Sequence, residues 1–218
     1  MVLVTLDDAA RLAYLDAIIV TYGHAATREI TEQLCQEIET TWNEPGISVR
    51  ILGAYYQPKF RISGLHNPSL QPMEVITNTD PRMNYFRIEA VASGNISFVD
   101  GIGSNTGYFQ ADNLYLGSTT AAHEFGHGLG LDHPVNLDIR GLGRPGIMYP
   151  RGTWVDPEFQ YDPAARPGEA GGTMHPMHRK VQLQDLQQLH LDRLRFSGGQ
   201  AILGAFTNIY HPDHGRTY

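Results

Sequence analysis

The sequence predicts an α+β fold in which helices pack against a mixed sheet. A β-branched N-terminal segment precedes a helix with one apolar stripe. Several short strand-like segments follow, and then a second helix, a long irregular region and a third helix. Strands and helices do not alternate regularly, so a doubly wound parallel sheet is not expected.

The first elements are recognised from periodicity and turn residues. Residues 15–23 are β-branched and aromatic and end at Gly23, which predicts a strand. Residues 26–42 carry an apolar side chain every fourth position, which predicts one apolar helix face: Ile30, Leu34, Ile38 and Trp42. Cys35 lies beside this stripe and is expected to be a small core residue.

The middle of the chain is predicted to supply most of the strands. Four segments are rich in strand-forming residues: 47–56, 59–64, 84–91 and 95–101. The first two are expected to be joined by a turn. Residues 65–83 contain three prolines and are predicted as a loop, whereas residues 101–109 form a Gly/Asn-rich turn that leads into a short strand.

Two more helices are predicted in the C-terminal half. Ser118 is a suitable N-cap for the first. Residues 134–180 show no periodic segment. Residues 180–196 predict an amphipathic helix with an inward face of Val181, Leu183, Leu186, Leu189 and Leu194. The chain from about Ser197 is expected to be peripheral.

Composition limits the classes of function. The 218 residues fit one domain, 1–218, with a sheet-and-helix part to about 130 and a loop-rich part from about 131. A net charge of −7 argues against a nucleic-acid groove. A single cysteine allows no internal disulfide. The sequence shows no signal peptide and no membrane span, so a soluble monomer is expected, cytoplasmic or exported within a larger delivery protein.

Residues 119–134 contain three of the ten histidines. His123 and His127 are four positions apart on a predicted helix. Their rings therefore lie on one face, about 40° apart around the axis and about 6 Å along it. Two imidazole nitrogens can then reach one metal ion, and zinc takes such ligands at about 2.0–2.1 Å.

A third ligand requires the chain to turn back. In a continued helix His133 would lie about 240° around from His127 and point away. Glycine adopts the left-handed conformation readily and ends helices, so a bend at Gly130 can return His133 to the metal. Three protein ligands and an open position are typical of a catalytic zinc site.

Glu124 lies about 100° around the helix from His123, near the metal but poorly directed to bind it. This position suits a general base that takes a proton from a zinc-activated water and delivers it to a leaving amine. A bare H-E-x-x-H occurs by chance. Five fixed positions, each with a separate physical role, make a chance match very improbable.

The pattern from His123 to His133, H-E-x-x-H-x-x-G-x-x-H, resembles the metzincin clan of zinc endopeptidases. The resemblance implies a twisted mixed sheet with a backing helix, an active-site helix and a C-terminal helix. It also implies one catalytic Zn²⁺ held by the three histidines, Glu124 as the catalytic residue, and a methionine turn beneath the metal.

Met148 is the preferred methionine of that turn, 15 residues after His133 in a segment similar to the matrixin branch. Met174, 41 residues after His133, is the alternative. Pro134 is similar to the serralysin branch, so the subfamily stays open. Tyr149 directly follows Met148 and is not expected to bind the metal.

Other positions carry weaker signals. Gly107, Tyr108 and Phe109 precede the histidine helix, and the resemblance implies an edge strand there that binds an extended substrate. Residues 100–107 are a tight polar turn or a Ca²⁺ loop that uses oxygens of Asp100, Ser104 and Asn105.

The remaining histidines and the loop region are assigned by position. His175 and His178 are expected to be surface residues rather than a second metal pair, and His211 and His214 are expected to be solvated. A cleft wall is expected to include Arg140, Arg144 and Trp154.

We expect a zinc endopeptidase that hydrolyses peptide bonds of protein or peptide substrates. The alternatives are a zinc amidase acting on cell-wall or small amides and a non-hydrolytic zinc-binding module. Retention of Glu124 argues against the module, which needs no base. The C-terminal pattern also resembles metallopeptidase domains of bacterial polymorphic toxins, which implies an immunity or inhibitor protein as partner.

Overall fold

Strand β2 (Leu12–Tyr22) forms the centre of a curled, mixed, eight-stranded sheet in the computed structural model, which describes residues 1–214. The other strands are β1 (Val2–Asp7), β3 (Val49–Ile51), β4 (Ala54–His66), β5 (Met83–Glu89), β6 (Phe98–Val99), β7 (Thr106–Gln110) and β8 (Gln200–Leu203). The helices are α1 (Arg28–Asn43), α2 (Pro72–Ile76), α3 (Thr120–Gly128) and α4 (Leu183–Gln188). The predicted fold class is confirmed.

The main path of the sheet is β3-β4-β2-β5-β7-β6. Strand β2 pairs in parallel with β4 along one edge. Its other edge pairs antiparallel with β1 in its first half and parallel with β5 in its second half. Strand β7 pairs in parallel with β5 and antiparallel with β6. Strand β8 pairs antiparallel with β1.

Helix α1 packs against β4 and α3 through the predicted apolar stripe. Thr27 caps it by accepting a hydrogen bond from Ile30 N at 3.2 Å. Trp42 lies 5.2 Å from Phe60 and 6.4 Å from Phe125, measured between ring centroids, and all three are buried. This aromatic cluster joins α1, the sheet and α3, and Cys35 lies beside it in the core as predicted.

The β3–β4 hairpin differs from the predicted pair of strands. Its turn lies at Leu52 and Gly53, whose φ values of 47° and 87° are those of a tight hairpin turn. Strand β4 then runs without a break through Pro58. This proline is tolerated because β3 pairs only with residues 54–56, so no ladder bond from its nitrogen is needed on that edge. Helix α2 also lies within the predicted loop 65–83.

The C-terminal region departs most from prediction. Helix α4 has six residues rather than the predicted 17, because His190 adopts a positive φ of 48° and interrupts it. Leu183, predicted to face inward, is 41% exposed. The chain after Ser197 is not peripheral, since β8 extends the sheet beside β1, a strand that was also not predicted. No helix within residues 1–214 has the length and apolar character needed to cross a membrane.

Candidate metal centre

Helix α3 carries the histidine motif into the interior of the molecule. All nine of its residues are buried. Thr119, with a φ of 52°, occupies the N-cap position. The prediction for Ser118 is therefore wrong by one residue, although Ser118 Oγ still accepts a hydrogen bond from Thr120 N at 3.2 Å.

The ring nitrogens of His123, His127 and His133 meet at one point. His133 Nε2 lies 3.0 Å from His123 Nε2 and 3.1 Å from His127 Nε2. One ring nitrogen of each residue lies within 4.8 Å of those of the other two. Tetrahedral zinc ligands at about 2.0–2.1 Å lie about 3.3 Å from one another, so this spacing suits a metal ion.

The outer ring nitrogens fix the tautomers of two rings. His123 Nδ1 lies 2.8 Å from Ile147 O, and His127 Nδ1 lies 2.8 Å from Leu131 O. A carbonyl oxygen only accepts, so each Nδ1 donates and each Nε2 keeps a lone pair. Burial lowers the pKa of all three histidines, which favours the neutral form that binds metals. The Nε2 lone pairs of His123 and His127 point toward a common position, which is suited to a cation.

Gly130 makes the bend that returns His133 to the other two rings. Its φ is 104°. Gly130 N donates to His127 O at 3.0 Å, and Leu131 N donates to Gly126 O at 3.1 Å. These two bonds form a Schellman motif, which satisfies the last carbonyls of α3. The backbone therefore bends at Gly130, and the role of this bend in metal binding stays a prediction.

Glu124 lies beside the histidines with its carboxyl buried. It is 8% exposed, and the Val99 backbone N–H donates to it. Burial raises the pKa of Glu124 to about 8, and the charge of Arg179 and the Val99 hydrogen bond act in the opposite direction. A carboxylate with a raised pKa is a stronger proton acceptor than an ordinary glutamate.

The segment around Met148 supports α3 from below. Ile147 O orients the His123 ring, and Met148 packs against Gly126, where an added β-carbon would lie 2.4 Å from Met148 Sδ. Met174 instead packs in a separate apolar cluster. Met148 is therefore the methionine that lies against the histidine helix, as preferred from the sequence.

Two side chains of α1 hold α3 in place and were not predicted. Trp42 Nε1 donates to Ala122 O at 3.0 Å, and Glu37 Oε1 accepts from Ala122 N at 3.2 Å. Burial raises the pKa of Glu37, and the N–H groups at the start of α3 oppose this shift. These contacts join residues 80 or more positions apart, so no local pattern indicated them.

The arginines that line the cleft are not the predicted Arg140 and Arg144. Arg140 pairs with Asp138 at 2.6 Å and stacks on Trp154, and Arg144 donates to a backbone carbonyl outside the cleft. Arg151 and Arg179 line the cavity beside the histidines instead. Neither arginine was predicted to line the cleft.

The strand that the resemblance implied as the substrate-binding edge is not at an edge of the sheet. Strand β7, which contains Gly107, Tyr108 and Phe109, is an interior strand because β6 covers its outer edge. All three residues are buried, and the Tyr108 ring stacks against both Phe98 and His214. The strand that borders the histidines is β6, which lies within the predicted strand segment 95–101.

The proposed calcium loop has protein partners for its side-chain oxygens. Asp100 bonds to His211 Nε2 at 2.9 Å, Ser104 Oγ lies 2.6 Å from Thr207 Oγ1, and Asn105 Oδ1 accepts from Thr207 N at 2.9 Å. This arrangement fits the polar-turn alternative. His211 is only 8% exposed, so the expectation that it is solvated is wrong.

A second cluster of residue types that can bind metal ions lies at the C-terminal end of β5. His24 Nδ1 is 3.0 Å from Glu89 Oε1 and 3.5 Å from Asp213 Oδ2. Glu89 is already paired with Arg87 at 2.6 Å, which lowers its value as a ligand. Within the described part of the chain, His175 and His178 belong to neither potential metal group.

The chain matches no protein-family model and no curated protein. The structure itself gives a coarser result. The group of three histidines could bind a metal ion, and together with the curled mixed sheet it is compatible with a metzincin-like fold.

Proposed function

We propose that this chain is a zinc-dependent endopeptidase. The observation that carries the proposal is the convergence of three imidazole rings on one point, with the buried carboxyl of Glu124 beside it. His123, His127 and His133 would hold the metal. Bound zinc supplies Lewis-acid chemistry, which polarises a carbonyl oxygen and lowers the pKa of water to about 7.

Glu124 handles the proton in this proposal. Its carboxylate takes a proton from the attacking water, whose oxygen forms a bond to the carbonyl carbon. It then gives that proton to the amide nitrogen as the carbon–nitrogen bond breaks, so one water is consumed for each peptide bond. The Glu124 carboxyl lines the cavities that adjoin the three histidines. A merely structural carboxyl would not need this buried position, which costs solvation.

Strand β6 supports a peptide rather than a small amide as substrate. Among residues 1–214 it pairs only with β7, and its other side borders the cavity lined by His123 and Glu124, where the Val99 N–H donates to Glu124. An extended peptide can add to a sheet edge through main-chain hydrogen bonds. Delivery as a bacterial toxin domain with an immunity partner stays a prediction.

The test compares Glu124→Gln with the parent. We expect the variant to keep its zinc, measured by elemental analysis after dialysis, and to cleave denatured casein about 10²–10⁴-fold more slowly. Glu158→Gln, which changes an exposed glutamate, is the control. Equal cleavage by Glu124→Gln would refute its role. Hydrolysis of small amides without casein cleavage would favour the amidase.

His133→Ala tests the metal site itself. We expect its zinc content to fall well below one ion per chain, whereas His190→Ala should match the parent. An unchanged content in His133→Ala would remove His133 from the ligand set.

A further inference from the structure

A cavity of about 290 Å³ adjoins the histidines and is lined by two arginines. Its walls include Asn95, Pro150, Arg151 and Arg179, and it shares His123 and Glu124 with the metal centre. Glu124 is the only acidic residue of its lining. A net positive cleft in a chain of net charge −7 is a local concentration of charge.

Arg179 is buried without a carboxylate partner. It is 3% exposed. Its guanidinium donates to three neutral oxygens: Thr119 Oγ1 at 2.9 Å, Ser118 O at 3.1 Å and Tyr149 O at 3.2 Å. Among the ion pairs of residues 1–214, none involves Arg179. A guanidinium has five N–H donors, so two remain for a ligand.

Arg151 adds a second positive charge at the mouth of the same cavity. Its Nη2 donates to Thr120 Oγ1 at 3.3 Å, and it also has no carboxylate partner within the described chain. Burial and then the charge of Arg151 lower the pKa of Arg179, whereas the charges of Glu124 and Glu37 act in the opposite direction. The pair of arginines costs free energy, and an anion between the two groups would offset that cost.

A second, more apolar cavity of about 260 Å³ adjoins the first at the metal centre. Its lining includes Ile96, Phe98, Val99 and Ile102, and it also shares the histidines and Glu124. A peptide bound at the metal centre would therefore contact an apolar surface as well as the two guanidinium groups.

We propose that Arg151 and Arg179 form a carboxylate-binding subsite. It selects substrates with an Asp or Glu side chain, or a terminal carboxylate, within about two residues of the scissile bond. This inference rests on the proposed peptidase function. Arg–carboxylate pairing is bidentate and strong in a partly buried site, so the geometry favours a carboxylate over neutral side chains.

Equilibrium binding tests the subsite without turnover. Fluorescent peptides are titrated into zinc-loaded Glu124→Gln, and anisotropy is measured. One series carries Glu or Gln at each position of an amidated peptide. A second series lacks acidic side chains and has a free or amidated C-terminus. In at least one series, we expect the peptide with the carboxylate to bind about tenfold more tightly than its amide counterpart. The series that shows this difference tells whether the subsite binds a side-chain or a C-terminal carboxylate.

Variants of Arg151 test whether the preference for carboxylate peptides arises at the proposed subsite. Added to Glu124→Gln, Arg151→Gln should reduce the preference to less than about threefold, and Arg151→Glu should replace it with a preference for Lys at the same position. Arg193→Gln, which changes an exposed arginine outside the cleft, should leave the preference intact. Conservative Arg179→Lys should weaken it, and urea unfolding checks that each variant is folded.

Two results would overturn the inference. One is equal affinity for the carboxylate and amide members of both series. The other is a carboxylate preference that survives Arg151→Glu, which would place the carboxylate on the metal. Cleavage of casein by the parent is a separate readout. Cleavage without a carboxylate preference refutes only the subsite, and preference without cleavage refutes only the peptidase proposal.

Discussion

Substitution of Gly130 by alanine tests the bend on which the histidine arrangement depends. At φ 104° a residue with a β-carbon is strained, although an added β-carbon would meet no atom within 4 Å. The cost therefore comes from the backbone alone. We expect Gly130→Ala to lower the free energy of unfolding of the metal-free protein by about 1–3 kcal/mol, measured by urea denaturation.

The same strain should appear in zinc affinity. An alanine can relax by rotating φ, and this rotation moves the segment that carries His133 away from two nitrogens now 3.0 Å and 3.1 Å distant. Zinc binding would then have to return residue 130 to its strained positive φ, and this cost would reduce the zinc affinity. The dissociation constant should rise by about 5- to 150-fold, which corresponds to 1–3 kcal/mol, in a titration against a chromophoric chelator.

Gly53→Ala is the matched control. Gly53 also has a positive φ, 87°, and open space around it, but it lies in the β3–β4 turn. It should lose comparable stability and bind zinc like the parent. The reasoning fails if Gly130→Ala binds zinc as tightly as the parent, or if both variants weaken zinc binding equally.

Three further experiments probe packing and burial around the site. Gly126→Ala places a β-carbon against Met148 and should cost about 1–3 kcal/mol in urea unfolding, whereas Gly152→Ala, with no atom nearby, should cost less. Burial raises the pKa of Asp185 from 3.8 to about 6, so the folded state retains a proton that the unfolded chain releases. Relative to Asp185→Asn, the parent should therefore lose about 2–3 kcal/mol of stability as the pH rises from about 3 to about 7; a constant difference would contradict this. Cys35 is 8% exposed and burial raises the pKa of its thiol to about 12, so a disulfide reagent at neutral pH should label it about 100-fold more slowly in buffer than in urea, and equal rates would disprove its burial.

The predictable part of the site is the part whose geometry is local. Spacing of four residues on a helix and one glycine bend place His123, His127 and His133 within a few ångströms of one another. The apolar stripe of α1 was equally clear, because 16 residues repeat the same period. Local backbone geometry and periodicity are properties that a single sequence carries.

The remaining parts depend on contacts between distant segments. Arg179 enters the cleft from a loop with no periodicity. A strand was predicted over residues 95–101, but its place at the edge of the sheet beside the histidines depends on the pairing of β6 with β7. Helix α4 was overestimated because its leucine spacing continues past His190, where the backbone leaves the helix. Tertiary packing decided these positions, and a helical repeat in the sequence does not contain that information.

The pairing of β1 with β8 has a consequence for biosynthesis. Val2 is opposite Leu203, so this ladder closes a loop of about two hundred residues. Contacts of such sequence separation form late and slow folding, because chain entropy is lost before they contribute. A nascent chain on the ribosome must expose one edge of β1 until residue 203 has emerged, and chaperones that shield strand edges should act during that interval.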